Sequence, residues 1–142
     1  MGSRQHGDYS HEWQSELLIL RLHGAFNEAA INTFFLSLAG VIQAHVKAHP
    51  NAKWALLSSL DQDMLGTPKT LGIIKFAYRW SQENGCIAAA ISNANAVVKH
   101  VFVPHFESLD INTSFFDTEI QAIDWLNQQL KNAATSSSTP TI

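Results

Sequence analysis

A chain of 142 residues has room for one domain and little more. Hydrophobic residues make up 46% of it, enough to build a core and too many for a disordered chain. Lys and Arg number 9 and Asp and Glu 12, so the formal charge is -3. A balance that even excludes a strong electrostatic case for nucleic acid or an anionic membrane as partner.

Unbroken apolar runs fall short of the ~20 residues of a membrane helix, so no membrane span is expected. Cys86 is the single cysteine, so neither an internal disulfide nor a cysteine-rich zinc site can form. The cytoplasm is the expected compartment.

Residues 1–7 are polar and read as a flexible leader without a secretory apolar stretch. Residues 9–24 read as a strand pair. Leu18, Leu20 and Leu22 alternate with Ile19, Arg21 and His23, the period of a strand. The shorter stretch from Tyr9 to Trp13 also alternates, and Gln14-Ser15 suits a tight turn between the two. Gly24 breaks the second strand, and Asn27 can cap a helix with Glu28 in its first turn. Ile31, Phe34, Phe35, Leu38, Val41, Ile42 and Val46 then recur at helical spacing up to Pro50, forming a wide apolar stripe.

Trp54-Ala-Leu-Leu-Ser-Ser59 is nearly continuous in apolar residues, as a strand covered on both faces should be. After the polar Asp61-Gln-Asp63, Thr67 can cap a second helix with Pro68 at its first position. Leu71, Ile74, Ala77 or Tyr78, and Ser81 keep the helical period until Asn84-Gly85 stops it. Cys86-Ile-Ala-Ala-Ala-Ile91 reads as a strand whose small residues admit close helix contact. Asn93 or Asn95 opens a third helix, which Pro104 should end or kink. Asn112-Thr-Ser-Phe-Phe116 is the last strand. Thr118 and Gln121 have capping-box spacing at the head of a closing helix through Ile120, Ile123, Trp125 or Leu126, and Leu130. Residues 132–142 look like a low-complexity, disordered tail.

The order β-β-α-β-α-β-α-β-α implies an α/β fold with a mixed, mostly parallel sheet. A single domain over residues 8–131 is expected.

Neither a glycine-rich phosphate loop nor a G-x-S-x-G nucleophile elbow occurs. His45 and His49 share a helix face, but no acid lies near them in sequence to complete a metal site, and His100 and His105 are separated by Pro104. No metal and no cofactor are expected. Cys86 has no adjoining basic residue to activate it. Ser58, Ser59, Asp61 and Asp63 lie at the carboxyl end of a central strand, where ligands of open α/β sheets tend to bind. Tyr78 and Trp80 are two apart on a helix, so one of them should reach the surface, near Phe76.

The strand ending Leu20-Arg-Leu-His-Gly24, the strands Trp54-Ala-Leu-Leu-Ser-Ser59 and Cys86-Ile-Ala-Ala-Ala-Ile91, and the closing Phe115-Phe-Asp-Thr-Glu-Ile-Gln-Ala-Ile-Asp-Trp-Leu126 resemble the SpoIIAA-like, STAS-related domains. The resemblance spans roughly residues 9–131. It implies a sheet of four or five strands, helices mainly on one face, and a non-enzymatic role in protein recognition or small-ligand binding. The Asp-Ser-x-Gly phosphorylation motif of anti-sigma-factor antagonists does not occur, and Thr67 is the nearest hydroxyl. The broader group also resembles lipid-carrying folds of the CRAL-TRIO type.

Three functions follow as expectations. The first is a non-catalytic STAS-like module that binds a protein through Ser58, Ser59, Asp61, Asp63, Thr67, Tyr78 and Trp80. The alternative is a carrier of a small apolar, lipid-like ligand, held by Phe34, Phe35, Leu38 and Ile74. An enzyme of unknown reaction is the third. A homodimer is also possible through an edge strand at Tyr9 to Trp13.

Overall fold

The computed structural model describes residues 8–23, 28–60, 68–94, 96–107 and 111–137. The expected leader, the Asn27 cap and the end of the tail at 138–142 lie outside them. In chain order the elements are β1 (Asp8–Gln14), β2 (Leu17–His23), α1 (Glu28–Ala48), β3 (Trp54–Leu60) and α2 (Pro68–Glu83). They continue with β4 (Cys86–Ser92), α3 (Ala96–Phe106), β5 (Asn112–Phe116) and α4 (Glu119–Ser137).

One five-stranded sheet runs β1-β2-β3-β4-β5. β1 pairs antiparallel with β2, and β2 to β5 pair parallel. The fold is therefore α/β with a mixed sheet. Each parallel step moves one place in the same direction, and right-handed crossovers then carry all three connecting helices to one face. The burial pattern shows this. Leu18, Leu20, Leu56, Leu60, Ala89 and Ile91 form one cluster with residues of α1, α2 and α3. Leu17, Ile19, Ala55, Leu57, Ala88 and Ala90 form a second with Ala122 and Leu126 of α4.

Gln14 pairs with Leu17, so the hairpin turn is Ser15-Glu16, one residue later than expected. Ser15 takes a positive φ of 56°, the role a glycine usually fills at the first position of a type II′ turn. At the end of α2, Gly85 takes φ 102°, and a Cβ there would meet Ala52 O and Trp54 Nε1, both at 3.2 Å. The turn fits closely under Trp54, which is fully buried and donates its Nε1–H to Asn84 O at 2.8 Å.

Two expectations need correction. Residues 132–137 are not part of a disordered tail but continue α4. Extending an existing helix is much easier than nucleating one, and Asn-Ala-Ala-Thr does not forbid it. Of the two outcomes expected at Pro104, an end or a kink, the end does not occur there, since α3 continues to Phe106. In the last turn the proline removes only one bond of the ladder. By length and composition, Ala29–Ala48 of α1 is apolar enough to cross a membrane, with hydropathy 1.4. Counting unbroken runs hides this, because polar residues interrupt the stretch. In the structure its inner side, from Ala30 to Ile42, is buried on the sheet.

Candidate functional site

Strand alternation decides which side chains can meet. Ser58 and Ser59 are neighbours in β3, so they point to opposite faces of the sheet. Ser58 faces α2, where its Oγ hydrogen-bonds Tyr78 Oη at 2.8 Å. Ser59 faces α4. It accepts the Asn93 Nδ2–H at 3.3 Å and hydrogen-bonds the Glu119 carboxylate. The two serines therefore belong to different places. Asp61, Asp63 and Thr67 lie outside the described residues.

The first place is a cavity of about 40 Å³ between the sheet and helices α1 and α2. Phe34, Phe35, Leu38 and Ile74 all line it, and so do Ser58 and Tyr78. Leu20, Leu56 and Phe102 complete much of the wall. The α1 stripe supplies Phe34 and Leu38 on its buried side, with Phe35 half-buried at the rim. In α2, Ile74, Ala77, Tyr78 and Ser81 recur at three and four residues and present one row to the cavity. Burial pushes the Tyr78 hydroxyl up from 10.0 to about 12, partly countered by the Ser58 hydrogen bond. The pair is thus neutral at physiological pH and forms the polar point of an otherwise apolar lining. Ser81 satisfies its own hydroxyl by donating to Ala77 O at 2.8 Å.

Aromatic edges close the seam between α1 and α2. The Phe35 ring meets Phe76 at 5.6 Å and Trp80 at 5.8 Å, both nearly perpendicular. Trp80 is half-buried here, while Phe76 is 56% exposed. So Tyr78 is the inward residue of the pair 78 and 80, and Trp80 is the outward one.

The second place is ionic. Arg21 leaves β2 on the α4 side, and its guanidinium meets Glu119 through Nε at 3.1 Å and Nη2 at 3.2 Å. Its Nη1 reaches Glu12 of β1 at 2.6 Å. The Arg21 hydrogen bond holds the Glu119 carboxyl below its ordinary range, and Glu12 is lowered for the same reason. Thr118 Oγ1 accepts the Gln121 N–H at 3.2 Å, the N-cap half of the expected capping box. Nearby, the fully buried Ser92 Oγ has no hydrogen-bond partner among the described residues. No sequence signal joined Arg21 to Glu119, which are 98 residues apart.

His45 stacks on Trp13 with ring centroids 3.9 Å apart and stands 3.6 Å from Glu16. His49 is the next ring, at 4.9 Å. Among the described residues no group of three or more His, Cys, Asp or Glu could hold a metal ion. Cys86 is buried, and burial pushes its thiol up from 9.0 to about 12, which keeps it protonated and unreactive at neutral pH.

The sheet order never reverses, so there is no topological switch point and no crevice of that origin at the carboxyl edge. The cavity lies instead between helices and sheet. No protein-family model matches the chain, and no curated protein matches it.

Proposed function

We propose that this chain is a SpoIIAA-like, non-catalytic module that binds a small apolar molecule carrying one hydroxyl or carbonyl group. The ligand enters between α1 and α2. Its polar group meets Ser58 and Tyr78, and its apolar part lies among Phe34, Phe35, Leu38 and Ile74. The observation that carries this reading is the convergence of four apolar side chains and one buried hydroxyl pair on a single unfilled space. Protein interiors are normally close-packed. Here a space of about 40 Å³, partly open between α1 and α2, stays unfilled. A concave, mostly apolar lining with one placed polar group is the usual form of a small-molecule site.

As it stands the space admits a group of water or methyl size. A larger ligand displaces the Phe35 ring outward, away from its edge contacts with Phe76 and Trp80. The inert Cys86 thiol and the neutral Tyr78 hydroxyl support a binding role over covalent chemistry.

Native mass spectrometry of gently purified protein, followed by titration with 1-aminoanthracene as an apolar fluorescent probe, tests the reading. Retained small molecule or saturable probe binding is expected in the wild type, and Ala77→Leu, which fills the space, should abolish it while the fold is kept. Wild-type protein that retains nothing and does not bind the probe would overturn it. A second reading, protein recognition, draws support from the exposed Phe76 beside the half-buried Trp80. Loss of partner capture in Trp80→Ala with unchanged probe binding would favour it.

A further inference from the structure

The polar atoms of the cavity lie on its inner wall. Among the described residues that line it, the polar side chains are Ser58, Tyr78 and Ser81, at 5%, 6% and 1% exposure. Ser81 spends its hydroxyl on Ala77 O, so the point left for a ligand is the Ser58–Tyr78 pair. The opposite end is apolar. Phe35, Ile73 and Ala77 are half-buried there and mark the seam between α1 and α2. None of the described lining residues is Lys, Arg, His, Asp or Glu.

We infer that the cavity takes its ligand polar end first and selects for an uncharged one: a neutral alcohol, ketone or ester, and neither a carboxylate nor an ammonium ion. The inference rests on the ligand-binding reading above and narrows it. A carboxylate pushed against Ser58 and Tyr78 would lose its water and find no cation, and an ammonium group would find no carboxylate. Burying an unpaired charge costs far more than burying a hydroxyl that keeps a hydrogen bond. The wall already shows this preference on its own side chain, since burial holds the Tyr78 hydroxyl neutral up to about 12. A neutral oxygen suits the pair better. Each hydroxyl can donate or accept, so an alcohol or a carbonyl oxygen finds a partner.

The orientation follows from the same arrangement. With its oxygen on the inner wall, the hydrocarbon part of the ligand points to the seam, where Phe35, Phe76 and Trp80 stand edge to face. The reverse orientation would suit an acid. Lys75 and Arg79 of α2 are outside the lining, and Arg79 is exposed three residues after Phe76. An acid could use Arg79 only with its head outside and its tail against the hydroxyl pair, which would leave that pair facing hydrocarbon.

Displacement of 1-aminoanthracene by four compounds of one chain length tests this: 1-hexanol, hexanoate, hexylammonium and hexane. With the wild type at pH 7, hexanol should displace the probe best. Hexanoate should be roughly a hundredfold or more weaker, because only the protonated fraction of an acid with a pKa near ~4.5 is accepted. Lowering the pH should strengthen hexanoate by about tenfold per unit while hexanol stays constant. The double variant Ser58→Ala, Tyr78→Phe removes both partners and so leaves neither hydroxyl unpaired. Its denaturant midpoint checks the fold, and its preference for hexanol over hexane should disappear. Hexanoate equal to hexanol at pH 7 overturns the inference, and loss of that hexanoate binding in Arg79→Gln would place the head outside. Hexane equal to hexanol in the wild type overturns it too, as does a hexanol preference that survives in the double variant. Each of these results leaves the ligand site standing. A wild type that binds no probe removes the site itself, and this inference with it.

Discussion

The two faces of the sheet carry different proportions of large and small side chains. Toward α1, α2 and α3 the strands present leucines and Ile91, and the helices answer with Phe34, Leu38, Ile42 and Tyr78. These large side chains do not fill the space completely, and a cavity with a hydroxyl pair remains. Toward α4, the central strands present Ala55, Leu57, Ala88 and Ala90, and Ala122 and Leu126 of the helix meet them. Small residues bring α4 close, and Arg21 ties its first turn to β1 and β2. The α4 face is packed without a cavity among the described residues named here, while the three-helix face keeps an unfilled space.

The same substitution on each face breaks or sharpens that contrast. Ala90→Leu forces three extra carbons into the α4 face and should cost about 1–3 kcal/mol. Ala77→Leu places them in the cavity, where burial gains about 0.8 kcal/mol per carbon, and it should leave stability equal or higher. Urea denaturation of both variants measures this. Equal losses would mean that the cavity side is as tightly packed as the other.

Tyr78→Phe probes the hydroxyl pair and should come next in size. It leaves the Ser58 Oγ buried without its Tyr78 partner, for a loss of about 1–2 kcal/mol at neutral pH. The pH dependence has a definite sign. Folding raises the Tyr78 pKa from 10.0 to about 12, so its contribution is whole below pH 10 and is lost as pH rises toward 12. The Phe variant should therefore lose less stability than wild type over that interval. The alkaline loss that remains belongs to Cys86, which is also raised to about 12. Denaturant midpoints measured from pH 8 upward would reveal it, and parallel curves for the two proteins would mean that Tyr78 is not buried as described.

Much of this was open to reading in the chain. The order of elements followed from the change between period two and helical period, and the Phe34, Phe35 and Leu38 group followed from the α1 stripe. Ser58 and Ser59 share the carboxyl end of β3, but strand alternation sends adjacent residues to opposite faces of the sheet. The helix over 132–137 has no signal in composition, which says little about a helix that tertiary contacts have already started. The hairpin turn moved by one residue because neither Gln14-Ser15 nor Ser15-Glu16 has the usual turn chemistry. The cavity and the Arg21–Glu119 pair had no local signal. Both depend on how helices far apart in sequence settle on the sheet.

The smallest expected effect tests what holds α4 in place. Glu119 stands in the first turn of α4, where its charge meets both the helix dipole and the Arg21 guanidinium. Its pKa is lowered on folding, so its contribution is present above the ordinary carboxylate pKa of 4.5 and is lost as pH falls through the lower folded value. The pair is partly exposed, with side-chain exposures of 33% and 28%, and solvent screening keeps the contribution under about 1 kcal/mol. Glu119→Gln should therefore lower stability slightly at pH 7 and flatten the acid limb of the stability curve. High salt should shrink the difference between the two proteins. A variant with the wild-type acid limb would show that α4 is held by Ala122 and Leu126 alone, and that the ion pair adds nothing to the stability of that face.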